Sequence, residues 1–264
     1  MAKIANAYWD DIEYIVGQDR VTGELEFMID ETTSFTQEHS EEESEVTGRK
    51  GHLIAVEKRN KALSGEIVNG IINFGMLGAI TGNSLEERET ANVPETEVLV
   101  LSSNTATTKY TAVGTVGAEL NIVYTLDANG NIDQKLTQTT SSAPQSGEFK
   151  YDPETKTLTF AESDEKLTGV NKIRVFYKRE ATNVTHLSNS SDKFSKTVKL
   201  TVFGTMKDTC DRVYRAVEVI PRCSISGTCT VSAGGDEKSL TCNYKAMSDN
   251  CGGDNTFYDL DLFQ

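Results

Sequence analysis

Runs in which apolar and polar residues take turns constrain this chain more than any other feature in it. Leu25, Phe27 and Ile29 alternate with Glu24, Glu26, Met28 and Asp30, the period-two pattern of a strand with one face in a core and one in water. The pattern returns at Leu120, Ile122, Tyr124 and Leu126, and at Ile173, Val175 and Tyr177. Val198, Leu200 and Val202 repeat it near the end. A chain written this way folds as many short strands, so its class is mainly β.

The second apolar run, Leu53, Ile54, Ala55 and Val56, is closed off by Glu57, Lys58, Arg59, Asn60 and Lys61. Between it and the first strand lies QEHSEEESEVTGRKG, residues 37–51. This reads as a hairpin with a long charged loop whose tip reaches into solvent or into a neighbour. Ser64 then offers an N-cap oxygen, and Ile67, Val68, Ile71, Ile72, Phe74, Leu77 and Ile80 follow at helical spacing. Gly82 is placed to stop the helix, which is thereby predicted over 64–82. Gly70, Gly75 and Gly78 each weaken an isolated helix by roughly 1 kcal/mol. Packing against the sheet must hold it.

Charge and cysteine usage exclude several classes. Forty acidic residues against 26 basic ones give a net charge of -14, which opposes binding nucleic acid by neutralising phosphates. No run approaches about 18 apolar residues, and MAKIANAYWDDIEYIVG has acids where a signal peptide is apolar, so neither a membrane span nor export is expected. The five cysteines, Cys210, Cys223, Cys229, Cys242 and Cys251, are odd in number and widely spaced. In a reducing compartment they read as small, buried thiols on adjacent strands, not as disulfides or a metal site. No G-x-S-x-G, H-E-x-x-H or Walker A pattern is present, so an enzyme, a cofactor and a metal are not expected. Asp127, Asn129, Asn131 and Asp133 space like a calcium loop, yet Ile132 and Gln138 stand where such a loop needs Gly and Glu. Asn129-Gly130 reads instead as a type I′ hairpin turn.

The character of the chain changes near Pro94. Some seven short strands follow from Val98 to Lys178, punctuated by the turn at Asn129-Gly130, a Ser/Thr/Pro loop and Asp152-Pro153-Glu154-Thr155. That is the signature of an Ig-like β-sandwich. After the linker ATNVTHLSNSSDK the earlier style resumes, with a strand from Val213 ended by Pro221 and a Gly-Gly turn in SAGGDEK. The layout is therefore a core in two halves, residues 1–92 and 183–264, with a sandwich inserted at 93–182.

This layout resembles that of the bacteriophage tail tube (major tail) proteins: a β-sandwich or barrel core with one flanking helix and a long hairpin loop between early strands. The residues that carry it are the hairpin with its loop 37–51, the helix 64–82 with its core face Ile67, Val68, Ile71, Ile72, Phe74 and Leu77, and the closing segment from Val198 to Leu262. The resemblance implies a structural virion protein, assembled in the host cytoplasm, whose copies close into hexameric rings. Stacked rings would form a tube through which genomic DNA passes without specific binding. It also implies tape-measure, baseplate and terminator proteins as partners, and a sheath if the tail contracts. Glu38, Glu41, Glu42, Glu43 and Glu45 are the candidates for acidic stripes in the lumen, or for a ring-to-ring contact with Arg49 and Lys50. A competing reading is an Ig-like surface adhesin, or a capsid decoration or tail-completion protein.

Overall fold

The structure is a computed structural model that describes residues 6–120, 122–232, 234, 239–248 and 255–264. The chain is mainly β, with one α-helix. It divides into two compact units, Met1–Glu86 with Leu187–Gln264, and Glu87–His186.

The first unit is one antiparallel sheet built from β1 (Ala7–Asp19), β2 (Leu25–Ile29), β3 (Thr32–Thr47), β4 (Leu53–Asn69), β12 (Thr197–Asp208), β13 (Val213–Ser232), β14 (Ser239–Ala246) and β15 (Asp259–Phe263). The order is β2-β1-β12-β13-β14-β4-β3, and β15 pairs with β13 beside β14. β2 and β3 thus stand at opposite ends of the path, although only Asp30 and Glu31 separate them in sequence. A flat sheet would hold these strands roughly 29 Å apart at about 4.8 Å per step, and so short a link spans only about 10 Å. The sheet must therefore curl until its ends approach. Ile15, Phe27, Ile67, Leu200, Leu240 and Tyr244 fill the space it encloses, at roughly 1.5–3 kcal/mol for each large apolar side chain.

The helix, α1 (Phe74–Thr81), packs on β2 and β13. Its stop is where the sequence puts it: Gly82 is the left-handed cap at φ 70°, donating its N–H to the Gly78 carbonyl. Its start is not. Asn73 is the N-cap, accepting from the Met76 amide at 2.9 Å, while Ser64, Ile67 and Val68 lie in β4, paired with Lys245, Cys242 and Thr241. Ile71 and Ile72 fall in the bend before the cap, so only Phe74 and Leu77 of the six core-face candidates are helical. β-Branched Ile67 and Val68 are at home in a ladder, and that ladder claims the chain up to Asn69. Gly75 is required for a different reason: a Cβ there would lie 2.8 Å from the Glu26 carbonyl oxygen of β2.

Other expectations shift as well. β1 was not foreseen. Pro221 does not end its strand, because β13 runs on to Ser232. A register shift, with Val198 opposite Cys223 and Leu200 opposite Ile220, places Pro221 in a bulge where no ladder N–H is missed. Cys229 and Cys242 are not free thiols: they stand opposite each other in β13 and β14 with Cα atoms 4.3 Å apart, and are joined as a disulfide. They lie 13 positions apart in sequence, and only the register brings them together. Cys223 is a buried thiol and Cys210 an exposed one. Cys251 and, in the Gly-Gly turn, residues 233 and 235–238 lie outside the described residues.

The second unit is a curled sheet of β5 (Glu86–Val100), β6 (Thr105–Thr107), β7 (Ile122–Leu126), β8 (Ile132–Gln138), β9 (Glu148–Asp152), β10 (Thr157–Phe160) and β11 (Lys172–His186), in the order β5-β11-β7-β8-β9-β10-β6. β11 takes up the first half of the expected linker. The sheet turns at β8, which pairs antiparallel with β7 and then parallel with β9 through Thr137 and Gln138. Leu136, Phe149, Leu158, Phe160, Ile173 and Val175 are its core. The loop after β7 is a five-residue turn, not the two-residue type I′ form. Asp127 accepts the amides of Asn129 and Asn131, at 2.9 and 2.8 Å, and Gly130 takes φ 86°.

Candidate functional site

The segment read as a long charged loop is strand nearly to its end. β3 and β4 pair from Thr32 with Asn69 out to Thr47 with Leu53. β14 supports β4 only between Leu63 and Asn69, so the rest of the hairpin leaves the sheet as a two-stranded arm. Nearly every side chain from 38 to 62 is in water, on both faces. Such a strand has no buried face and hence no alternation, which is why its sequence resembles a loop.

Opposite charges face each other along the ladder instead. Glu43 stands across from Lys58 and Glu42 across from Arg59. Lys58 donates to Glu41 and lies 3.3 Å from Glu43, and Asn60 Nδ2 donates to Glu42 at 2.7 Å. The Lys58 ammonium holds the Glu41 carboxyl below its ordinary range. Three of the five candidate acids are thus satisfied within the arm. Glu38 lies at its base and Glu45 opposite Val56, whereas Arg49 and Lys50 occupy the turn at the tip, where Gly51 takes φ 75°. The structure does not bring Arg49 or Lys50 to the acids of its own arm.

Near the tip the arm becomes apolar. Val46, Leu53, Ile54 and Val56 are exposed, Ile54 at 69%. An isolated two-stranded ribbon is marginal in water, and exposed apolar side chains at its end are unexplained in a free monomer.

The sheet edges differ in how they are protected. On the outer side of β2 the Met28 carbonyl accepts from Asn73 Nδ2 at 2.7 Å, and Gly75 lies on the Glu26 carbonyl, so α1 covers that edge. Among the described residues no strand pairs with the outer edge of β3, and β15 pairs with β13 alone. A long open strand without proline is a template for pairing with another chain.

Residues 10–258 match the model of the YomU/Tube protein family. The chain belongs to that family. It is a family of the phage tail tube type, structural and not normally enzymatic, which makes the chain a virion component. Comparison with curated proteins gives no match. The matched range includes the arm, the helix and both units.

Three consecutive residues root the arm, and none stood out in the sequence. Phe35 stacks on Tyr244 with ring centroids 5.7 Å apart, the Thr36 carbonyl accepts from the Tyr244 hydroxyl at 3.1 Å, and Gln37 Nε2 donates to the buried carboxyl group of Glu218. Gly65, opposite Gln37, makes this possible. A Cβ there would collide with the Thr36 carbonyl and the Tyr244 ring. The one signal available was a glutamate among apolar neighbours in Val217-Glu218-Val219.

Proposed function

We propose that this chain builds a phage tail tube by closing into rings of six copies that stack into a hollow, DNA-conducting channel. The observation that carries the reading is the arm: residues 38–62 stand in water on both faces and end in an apolar tip that only another molecule can cover. An open β3 edge points to the same partner, a second copy, since a closed ring leaves no edge unpaired. With a net charge of -14, the assembled surface repels phosphates, so DNA slides without being held. The unit 87–186 is read as an Ig-like module carried by the tube subunit. Tape-measure, baseplate and terminator proteins are the further partners this role requires.

Negative-stain electron microscopy of the purified chain at high concentration tests this reading. Six-fold rings or tubes are expected. Light scattering from a monomer at every concentration, with no order in the micrographs, would overturn it.

A further inference from the structure

The arm's root contains a group that its structural role does not need. Glu218 is 1% exposed on β13, between Ala216 and Ile220 on the same face and opposite Val202 of β12. An isoleucine would fill the site at no electrostatic cost. Instead a carboxyl sits there, held by the side chain of Gln37 from the strand that becomes the arm. Gln37 also lines a cavity of about 430 Å³, together with Glu38, Gly65, Glu66, Tyr244 and Lys245.

We propose that Glu218 works as a proton-operated latch on the arm: with the carboxyl protonated the root stays shut on Gln37, and with it ionised the root opens and water reaches the carboxylate.

Burial is what drives it. It lifts the Glu218 carboxyl from the ordinary range to about 7, with the Gln37 hydrogen bond opposing. In an open, wetted root the carboxyl would titrate near 4.5. The closed root therefore binds the proton more tightly, and raising the pH from about 5 to 8 favours opening. The other ionisable groups nearby do not compete. Burial pushes up both Tyr244 on β14 and Cys223 on β13, the thiol to about 12, so both stay neutral. Asp259 and Asp261 of β15 stand opposite Val219 and Val217, on the other face of the sheet from Glu218. Lys199 of β12 is in water, and Lys207 of β12 pairs with Asp10 of β1. Glu38, Glu66 and Lys245 line that cavity. His39, also on β3, faces the Tyr258 ring 5.6 Å away.

Amide hydrogen exchange of the full chain, kept dilute and corrected for the chemical exchange rate, reads the latch directly. Protection at residues 35–38 is expected to fall by about one to two orders of magnitude between pH 5 and pH 8. Glu218→Gln, which cannot ionise, should flatten the profile, and His39→Asn should leave it unchanged. A flat profile in the native chain, or a response that survives Glu218→Gln or disappears in His39→Asn, would overturn the proposal. Should Glu218→Gln fail to fold, infrared titration of the native carboxyl decides: a midpoint near 7 that coincides with the exchange change supports the latch, and one below 5 removes it.

Discussion

Glu218 sets the behaviour of the core with pH. Its carboxyl titrates near 7 when folded and near 4.5 when unfolded, so the folded state holds the extra proton between these values and stability falls as pH rises through that window. The loss is on the order of 3 kcal/mol by pH 8. Glu218→Gln should therefore stabilise the chain at pH 8 and have little effect at pH 5, as urea melts at the two values will report. Gly65→Ala acts through shape: its Cβ meets the Thr36 carbonyl and the Tyr244 ring, and a loss of about 1–3 kcal/mol is expected in the same melts. The cysteines make a third case. A bridge closing a loop of 13 residues contributes about 3 kcal/mol, so reductant should lower the melting temperature of the native chain and leave that of Cys229→Ser/Cys242→Ser unaltered. None of these roles was legible in the sequence, because each depends on which residues the register sets side by side. The Gly82 stop was legible, because a left-handed cap is a local demand that glycine meets alone.

The arm shows where strand signals end. A strand with one buried face announces itself by alternation, as Phe27 and Ile29 do, but a ribbon wet on both faces only needs complementary charges across the ladder. In EKRNK the basic residues read as the end of a strand, yet Lys58 and Arg59 stand opposite Glu43 and Glu42. The misplaced helix start has a related cause. From Ile67 to Ile72 the apolar residues fit a helical period, and the ladder with β14 overrides it. Changing Glu41, Glu42, Glu43 and Glu45 together to Gln should leave the fold nearly intact, since the arm's charges are exposed and screened. If the arm docks on another copy, the same variant should alter the salt dependence of assembly. Leu53→Ser/Ile54→Ser should do so without touching charge: the monomer melts as before, and assembly requires a higher protein concentration.

For the molecule as a whole, the chain divides into two compact units, and the second is an insertion between two stretches of the first. β5 and β11 are neighbours in the sheet, and Arg179 Nε donates to Glu95 at 2.9 Å. The chain therefore enters and leaves the second unit at nearby points. Replacing Val98 to Arg179 by a short Gly/Ser linker should leave the first unit folded and able to assemble, as circular dichroism and electron microscopy will show. The tail-tube resemblance was legible in the order of hairpin, helix and closing strands, whereas the curl of the sheet followed only from its pairing. In the proposed assembly another copy covers the arm. Comparing amide hydrogen exchange in the assembled and dilute states measures this directly: the amides of residues 38–62 should become strongly protected on assembly. Rings or tubes in which those amides exchange as fast as in the free chain would contradict it.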